Sequence, residues 1–183
     1  MTGGADAGGP PRAVMIAALV LAVATIGAIL VLAATRRTSQ EPIALPTVAA
    51  PQAASPPCQA LLAALPQQLG DFQRAELAQP APQAAGAWRT RTATDPVVMR
   101  CGLERPADFV VGSPIQVVDK VQWFQVNEEG SAEEGRSTWY TVDRPVYVAL
   151  TLPANSGPVP IQDISRIIDR TIAAVPIDPA PAR

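Results

Sequence analysis

The feature that most constrains this chain is an uninterrupted apolar run near its N-terminus. No charged side chain occurs in the 23 residues from Ala13 to Thr35. As a helix, such a run would extend roughly 34 Å at about 1.5 Å per residue, which matches the ~30 Å hydrocarbon core of a bilayer. The run therefore predicts a transmembrane helix at residues 13–35, preceded by a short N-terminal segment at residues 1–12.

A cleaved signal peptide is the alternative interpretation of this run. The apolar core of a signal peptide normally holds about 7–15 residues and ends at an A-x-A-like cleavage site. The run in this chain is longer, and Arg36 and Arg37 close it without a good cleavage site. An uncleaved anchor is therefore expected.

The side of the membrane on which the rest of the chain lies is predicted from its cysteines. The basic residues flanking the apolar run nearly balance, so the positive-inside rule does not decide the orientation. The chain has two cysteines, Cys58 and Cys101, and no C-x-x-C motif. A structural disulfide is favoured over two free or redox-active thiols, and disulfides persist in oxidising spaces outside the cytoplasm. We expect residues 1–12 to be cytoplasmic and the domain to be extracytoplasmic, on the outer side of the cell membrane.

Proline marks the next boundary in the chain. The sequence contains 20 prolines, about twice the usual share of roughly 5%, and five of them lie between residues 36 and 57. Such a stretch is extended or disordered, and at about 3.1 Å per residue it could reach roughly 70 Å. The pattern predicts a linker at residues 36–57, a compact α+β domain at 58–176 and a C-terminal tail at 177–183.

Hydrophobic patterning within the domain predicts an α+β fold. A first helix should begin at Ser55, carry one apolar stripe that ends at Leu69, and kink or end near Pro66, before a polar loop that continues to about Gly86. Strands are predicted at Trp88–Thr92, Val97–Leu103, Ile115–Val118, Val121–Val126, Ser137–Val142 and Val146–Leu152, and a second helix at Ile161–Val175. This order predicts a mostly antiparallel sheet, with an N-terminal and a C-terminal helix packed on one face.

The composition excludes several common chemistries. The chain has no histidine, so it lacks a Ser-His-Asp or Cys-His pair and any His-ligated zinc, and two cysteines cannot build a four-thiolate site. No cluster of basic residues offers a footprint for nucleic acid. We therefore predict no catalytic residue, no cofactor, no metal and no nucleic-acid partner.

Two sequence features could still carry a binding function. Four glutamates lie in the glycine-rich stretch Glu128–Gly135 and could hold calcium, but a solvated hairpin loop is the favoured interpretation. Aromatic residues are dense in the later strands, where ordinary core packing is favoured over a ligand groove. The residues of the candidate binding surface are Trp123, Trp139, Tyr140 and Tyr147.

Several motifs resemble one family. The stretch Pro96–Gly102, which reads PVVMRCG, is followed by VQWF at Val121–Phe124 and by RPVYV at Arg144–Val148. Together with the apolar segment and the final amphipathic helix, they resemble an actinobacterial family catalogued as domain of unknown function 3515. The resemblance implies a location in the cell envelope and no assigned catalytic residues.

Three functions are carried forward from the sequence. The first is a non-enzymatic accessory protein of the cell envelope, anchored in the membrane and bound to another envelope protein. The second is a binding module for a small molecule, lipid or glycan, which predicts a pocket of about 300 Å³ or more. The third is a hydrolase that uses carboxylates alone, which predicts two facing carboxylates about 5–10 Å apart.

Overall fold

The computed structural model describes residues 12–35, 41–91, 95–126 and 135–182. The chain divides into two compact units, residues 1–40 and residues 41–183. The acidic stretch from Glu128 to Glu134 lies outside the described residues, as does Thr92.

The first unit contains helix α1, Arg12–Thr35, which has 24 residues. Its window from Arg12 to Leu30 has a mean hydropathy of 2.7 and is not buried by the protein. Large side chains such as Leu19 are therefore exposed on a helix long and apolar enough to cross a membrane. A secretory signal sequence also places an apolar helix near the N-terminus, so α1 establishes an apolar N-terminal helix and no orientation.

The second unit contains two helices and eight strands within its described residues. The helices are α2 (Pro56–Ala64) and α3 (Val159–Thr171). The strands are β1 (Gln68–Leu69), β2 (Phe72–Ala75), β3 (Ala85–Arg89), β4 (Val97–Leu103), β5 (Gln116–Val118), β6 (Val121–Val126), β7 (Ser137–Thr141) and β8 (Tyr147–Leu152).

The strands form one antiparallel sheet in the order β1-β2-β3-β4-β8-β7-β6-β5. The first four strands follow one another as a meander, and so do the last four. The two meanders meet where β4 pairs with β8, and the register there shifts between Cys101 and Leu103. The predicted α+β class is confirmed by this antiparallel sheet and its helices.

One face of the sheet, here the helix face, forms the main core with α2 and α3. Trp88, Met99, Trp123 and Leu150 point into it from four different strands, and each is fully buried. The indole N–H of Trp88 donates to the Pro66 carbonyl at 2.9 Å, so the polar group of this buried ring is hydrogen-bonded.

Helix α3 follows directly from its sequence pattern. Ile161, Ile164 and Ile168 recur at helical spacing, and all three are buried against the sheet and α2. The helix ends at Thr171 rather than at the predicted Val175, which is 38% exposed.

Helix α2 confirms part of the predicted first helix. It begins after Ser55 and ends at Ala64, because Pro66 cannot continue it. Leu69 is buried as predicted, but it lies in β1 rather than on the helix.

Strand β1 lies at the end of the predicted first helix, and β2 lies in the segment predicted to be a loop. Strand β3 begins three residues before the predicted strand at Trp88. Their sequences contain Gln, Arg, Ala and Gly, residue types with low strand propensity. These strands are stabilised by pairing of β1 with β2, of β2 with β3 and of β3 with β4, and by burial of Trp88 and Phe72. Local propensity reports neither the pairing nor the burial.

The opposite face of the sheet is covered by irregular segments rather than by helices. Phe109, Phe124 and Val142 form a small second core, with Phe109 and Phe124 ring centroids 5.3 Å apart. The C-terminal residues predicted as a tail join this layer, because Ala180 makes backbone hydrogen bonds to Phe109 and Val111.

The predicted linker also differs from the structure. Residues 41–53, here called the strap, belong to the second unit and pack against the rest of it. Ile43 pairs with the segment at Leu77, and Ala53 is 6% exposed. Residues 41–53 therefore belong to the folded domain rather than to a free linker.

Candidate functional site

The two cysteines lie together at disulfide-bonding distance. Cys58 on α2 and Cys101 on β4 have Cα atoms 5.6 Å apart, and both residues are fully buried. The bridge attaches α2 to the centre of the sheet across a sequence separation of 43 residues.

Both neighbours of Cys101 hold the strap against the same strand. Arg100 donates from Nη2 to the Pro46 carbonyl at 2.9 Å. The carbonyl of Gly102 accepts the backbone N–H of Gln52 at 3.0 Å. Because strand residues alternate between faces, three consecutive residues of β4 bind the segment from Pro46 to Cys58 on both faces of the sheet.

Gly102 is required by this close approach. Its φ is +85°, and a Cβ at this position would lie 2.7 Å from the Ala53 Cα. No other residue type could occupy the position without displacing the strap, so the sequence Arg100–Gly102 is explained by packing.

A groove of about 410 Å³ lies between the strap and the face of the sheet that the helices do not cover. We call it the strap groove. Val98, Ala149 and Thr151 form its floor, where the small side chain of Ala149 in central strand β8 leaves space. Ile43 and Val48 of the strap form a wall.

The strap groove has a cationic rim. Arg100, Arg136 and Tyr140 line it, and Asp95 is its one carboxylate among the described residues. Burial lowers the pKa of Arg100 from its ordinary value, while the neighbouring Tyr140 acts in the opposite direction. The half-buried guanidinium stays charged at neutral pH, because arginine is effectively never deprotonated in proteins.

A second groove, of about 420 Å³, lies on the helix face, beside the start of α3. We call it the amide groove, because Gln116, Asn155 and Gln162 line it together with Trp139. None of the described residues that line this groove carries a charge.

A buried ion pair lies in the β7–β8 turn. Arg144 and Asp143 are joined at 2.8 Å, with side chains 0% and 5% exposed, and Arg144 also donates to the Lys120 carbonyl. Asp169 of α3 lies 3.8 Å from the same guanidinium. Burial raises the pKa of Asp143, although Arg144 and hydrogen bonds oppose the rise. The pair attaches the turn to α3 and borders neither groove, so its role is structural.

The four aromatic residues predicted as one surface are dispersed. Trp123 is fully buried in the main core and donates to Ser165 Oγ at 2.9 Å. Trp139 lines the amide groove, Tyr140 lines the strap groove, and Tyr147 packs on the second core. Alternation along β6, β7 and β8 separates them, since adjacent strand residues point to opposite faces.

Two elements of these grooves were absent from the sequence analysis. Arg100 occurs only within the stretch Pro96–Gly102 that carries the family resemblance, and Gln116, Asn155 and Gln162 carry no prediction. Isolated amides carry no sequence signal, because Gln and Asn are common on any solvated surface.

The grooves lend no support to a carboxylate-only hydrolase. Among the described residues, the strap groove is lined by one carboxylate, Asp95, and the amide groove by none. A retaining or inverting glycosidase needs two facing carboxylates.

The fold and the grooves define a class: an α+β domain with two concave surfaces, preceded by an apolar helix. The family model described as "Protein of unknown function (DUF3515)" matches residues 19–177, so the chain belongs to that family. Comparison with curated proteins and with solved structures gives no match.

Proposed function

We propose that this chain is a membrane-anchored, non-enzymatic accessory protein of the cell envelope, and that its strap groove binds an extended acidic segment of a partner protein. The observation that carries the proposal is the half-buried guanidinium of Arg100 at the edge of a groove of about 410 Å³.

The charge of Arg100 selects the partner's chemistry. A guanidinium has five N–H donors in a planar fork that matches a carboxylate. Within the described structure, the contact from Nη2 to the Pro46 carbonyl is the only hydrogen bond of the Arg100 side chain, so several of its donors remain for a ligand. Partial burial strengthens such a charge-assisted pair, because less water screens it.

The backbone of the strap favours an extended peptide. Within the described residues, the N–H groups of Ala44, Leu45, Thr47 and Val48 donate to no protein acceptor. An added peptide strand would supply carbonyl acceptors along this edge, as in β-strand addition. The aliphatic wall of the groove would then accept alternate side chains of that peptide.

The envelope location rests on two supporting features. An apolar helix precedes the domain, and the buried cysteine pair favours an oxidising compartment. With the N-terminus inside, the domain would lie outside the cell membrane and reach envelope proteins.

In-cell photo-crosslinking of the tagged full-length protein tests the proposal. A photoreactive residue at Val48, which is 45% exposed on the groove wall, should capture one reproducible protein partner. The matched site is Val111, which is 59% exposed and lines neither groove. Mass spectrometry of the crosslinked species identifies the partner and the peptide that is attached.

Substitutions define the contribution of charge. Arg100→Gln should weaken the Val48 crosslink by about tenfold or more, since charge-assisted pairs contribute roughly 1.5–3 kcal/mol. Arg170→Gln removes the same charge from the exposed end of α3 and should leave the crosslink unchanged. Equal crosslinking from Val48 and Val111, or capture of lipid alone at Val48, would contradict the proposal.

A further inference from the structure

The amide groove is built from uncharged polar groups around one aromatic ring. It lies where the ends of β7 and β8 approach the first turn of α3. Buried Leu152 and Ile161 form its apolar base. The groove therefore combines an apolar surface with hydrogen-bonding groups and no charge among the described residues.

Trp139 is fixed in this groove. Its indole N–H donates to Ser137 Oγ at 3.0 Å, which orients the ring, and the ring packs only partly against the main core. The other two tryptophans, Trp88 and Trp123, are fully buried. Trp139 is thus the indole that a ligand can reach.

Three primary amides surround the ring. Gln116, Asn155 and Gln162 are exposed, and their side chains make no hydrogen bond to the described protein. Each amide offers two donors and one acceptor oxygen. Together the three amides could donate hydrogen bonds to a ligand and accept hydrogen bonds from it, which suits a ligand whose polar groups are each both donor and acceptor.

We propose that the amide groove binds a neutral sugar unit of a glycan. A pyranose ring has an apolar C–H face that packs on the electron-rich face of an indole. Its hydroxyl groups both donate and accept, so they match primary amides. A charged ligand would lose water here without meeting an opposite charge among the described residues, and this loss costs free energy. A neutral sugar carries no charge and does not incur that cost.

This inference does not rest on the strap groove. Trp139 and Tyr140 are adjacent in β7 and point to opposite faces of the sheet, so the two grooves lie on opposite faces. Loss of Arg100 should therefore leave sugar binding intact, and loss of sugar binding should leave the peptide crosslink intact.

The test uses the full-length protein in a detergent without a sugar head group. The probes are N,N′,N″-triacetylchitotriose and maltotriose, two neutral trisaccharides, with trigalacturonic acid as the charged comparison. Since Trp139 is the accessible indole, iodide quenching of the fluorescence reports mainly on the groove. We expect saturable protection from iodide by at least one neutral trimer and none by the charged trimer.

Variants separate binding from folding. Gln162→Leu should weaken binding of the neutral trimer about tenfold, measured by calorimetry, which equals about 1.4 kcal/mol. Gln73→Leu alters an equally exposed glutamine on β2, outside both grooves, and should bind as the parent does. Near-ultraviolet circular dichroism of the buried tryptophans checks that both variants are folded.

Three results would overturn the inference. The first is that neither neutral trimer shows saturable binding up to about 10 mM, because a dissociation constant above that concentration is weaker than most specific recognition. The second is equal affinity of the Gln162→Leu and Gln73→Leu variants. The third is trigalacturonic acid binding as tightly as the neutral trimers.

Discussion

At the scale of single residues, strand β4 explains why an arginine, a cysteine and a glycine are consecutive. Each binds the polypeptide that precedes β1: Arg100 through its side chain, Cys101 through sulfur and Gly102 through its backbone. The stretch resembles a motif, yet each of the three residues is accounted for by its contacts with that polypeptide. Arg100 alone of the three also lines a groove.

Substitution of Gly102 tests the close approach. Gly102→Ala should lower the free energy of unfolding by about 1–3 kcal/mol more than Gly112→Ala, because overpacking adds to backbone strain. Gly112 has φ +91° but no atom within 4 Å of a Cβ, so it isolates the strain. Urea unfolding of the detergent-solubilised chain measures both. Equal losses would show that the strap does not press on Gly102.

The buried carboxyl of Asp143 predicts a pH dependence. Because burial raises its pKa in the folded state, the folded protein binds more protons than the unfolded chain between the ordinary value of 3.8 and the raised value. The contribution of Asp143 to stability therefore falls as pH rises through that window. Unfolding free energies measured against pH for the parent and Asp143→Asn should show this fall in the parent alone. Parallel curves would mean that Arg144 cancels the effect of burial.

At the scale of elements, helix α2 is short and depends on its attachments. It has nine residues, fewer than an isolated helix needs in water. Cys58 and Leu61 attach it to the sheet and the main core, both fully buried. Helix α3, by contrast, buries a continuous apolar stripe and was predictable from spacing alone.

Removal of the disulfide should be costly for this reason. Closing a loop with a sequence separation of 43 contributes roughly 4 kcal/mol in the chain-entropy model. A variant with both Cys58→Ala and Cys101→Ala should lose up to about this amount, measured by urea unfolding. Reductant should destabilise the parent and leave the double variant unchanged. A parent insensitive to reductant under unfolding conditions would argue against the bridge.

Core packing of α3 gives a matched comparison. Ile164→Ala removes a fully buried side chain and should cost about 2–5 kcal/mol. Arg170→Ala, on the exposed side of the same helix, should change stability by less than about 0.5 kcal/mol. Similar melting temperatures for the two variants would contradict the packing described for α3.

At the scale of the whole molecule, the strap sets where the folded domain begins. A chain starting at Glu41 keeps Ala53 in the core and the hydrogen bonds to Arg100 and Gly102. A chain starting at Cys58, the boundary predicted from proline content, loses all three. We expect the shorter chain to melt at least several degrees lower, since about 1 kcal/mol shifts the melting temperature by roughly 2–8 °C in domains of this size. Equal melting temperatures would restore the linker interpretation of residues 41–57.

Several elements were determined by the sequence itself. Local sequence signals predicted the helix of the apolar run, helix α3 with its periodic isoleucines, and strands β4 and β6. The two strands were predictable because β-branched and other apolar residues are frequent in them. The disulfide pairing was equally accessible, since only two cysteines exist.

Only the tertiary structure decided where the proline-rich strap lies and that β1 and β2 are strands. It also decided that the four aromatic residues separate between two cores and two grooves. These features depend on contacts between residues distant in the chain. The strap is extended by composition, and its position on β4 depends on the close approach allowed by Gly102 and on the hydrogen bond from Arg100 to Pro46. Both candidate sites are spaces between such segments, and a space between distant segments leaves no local pattern in a sequence.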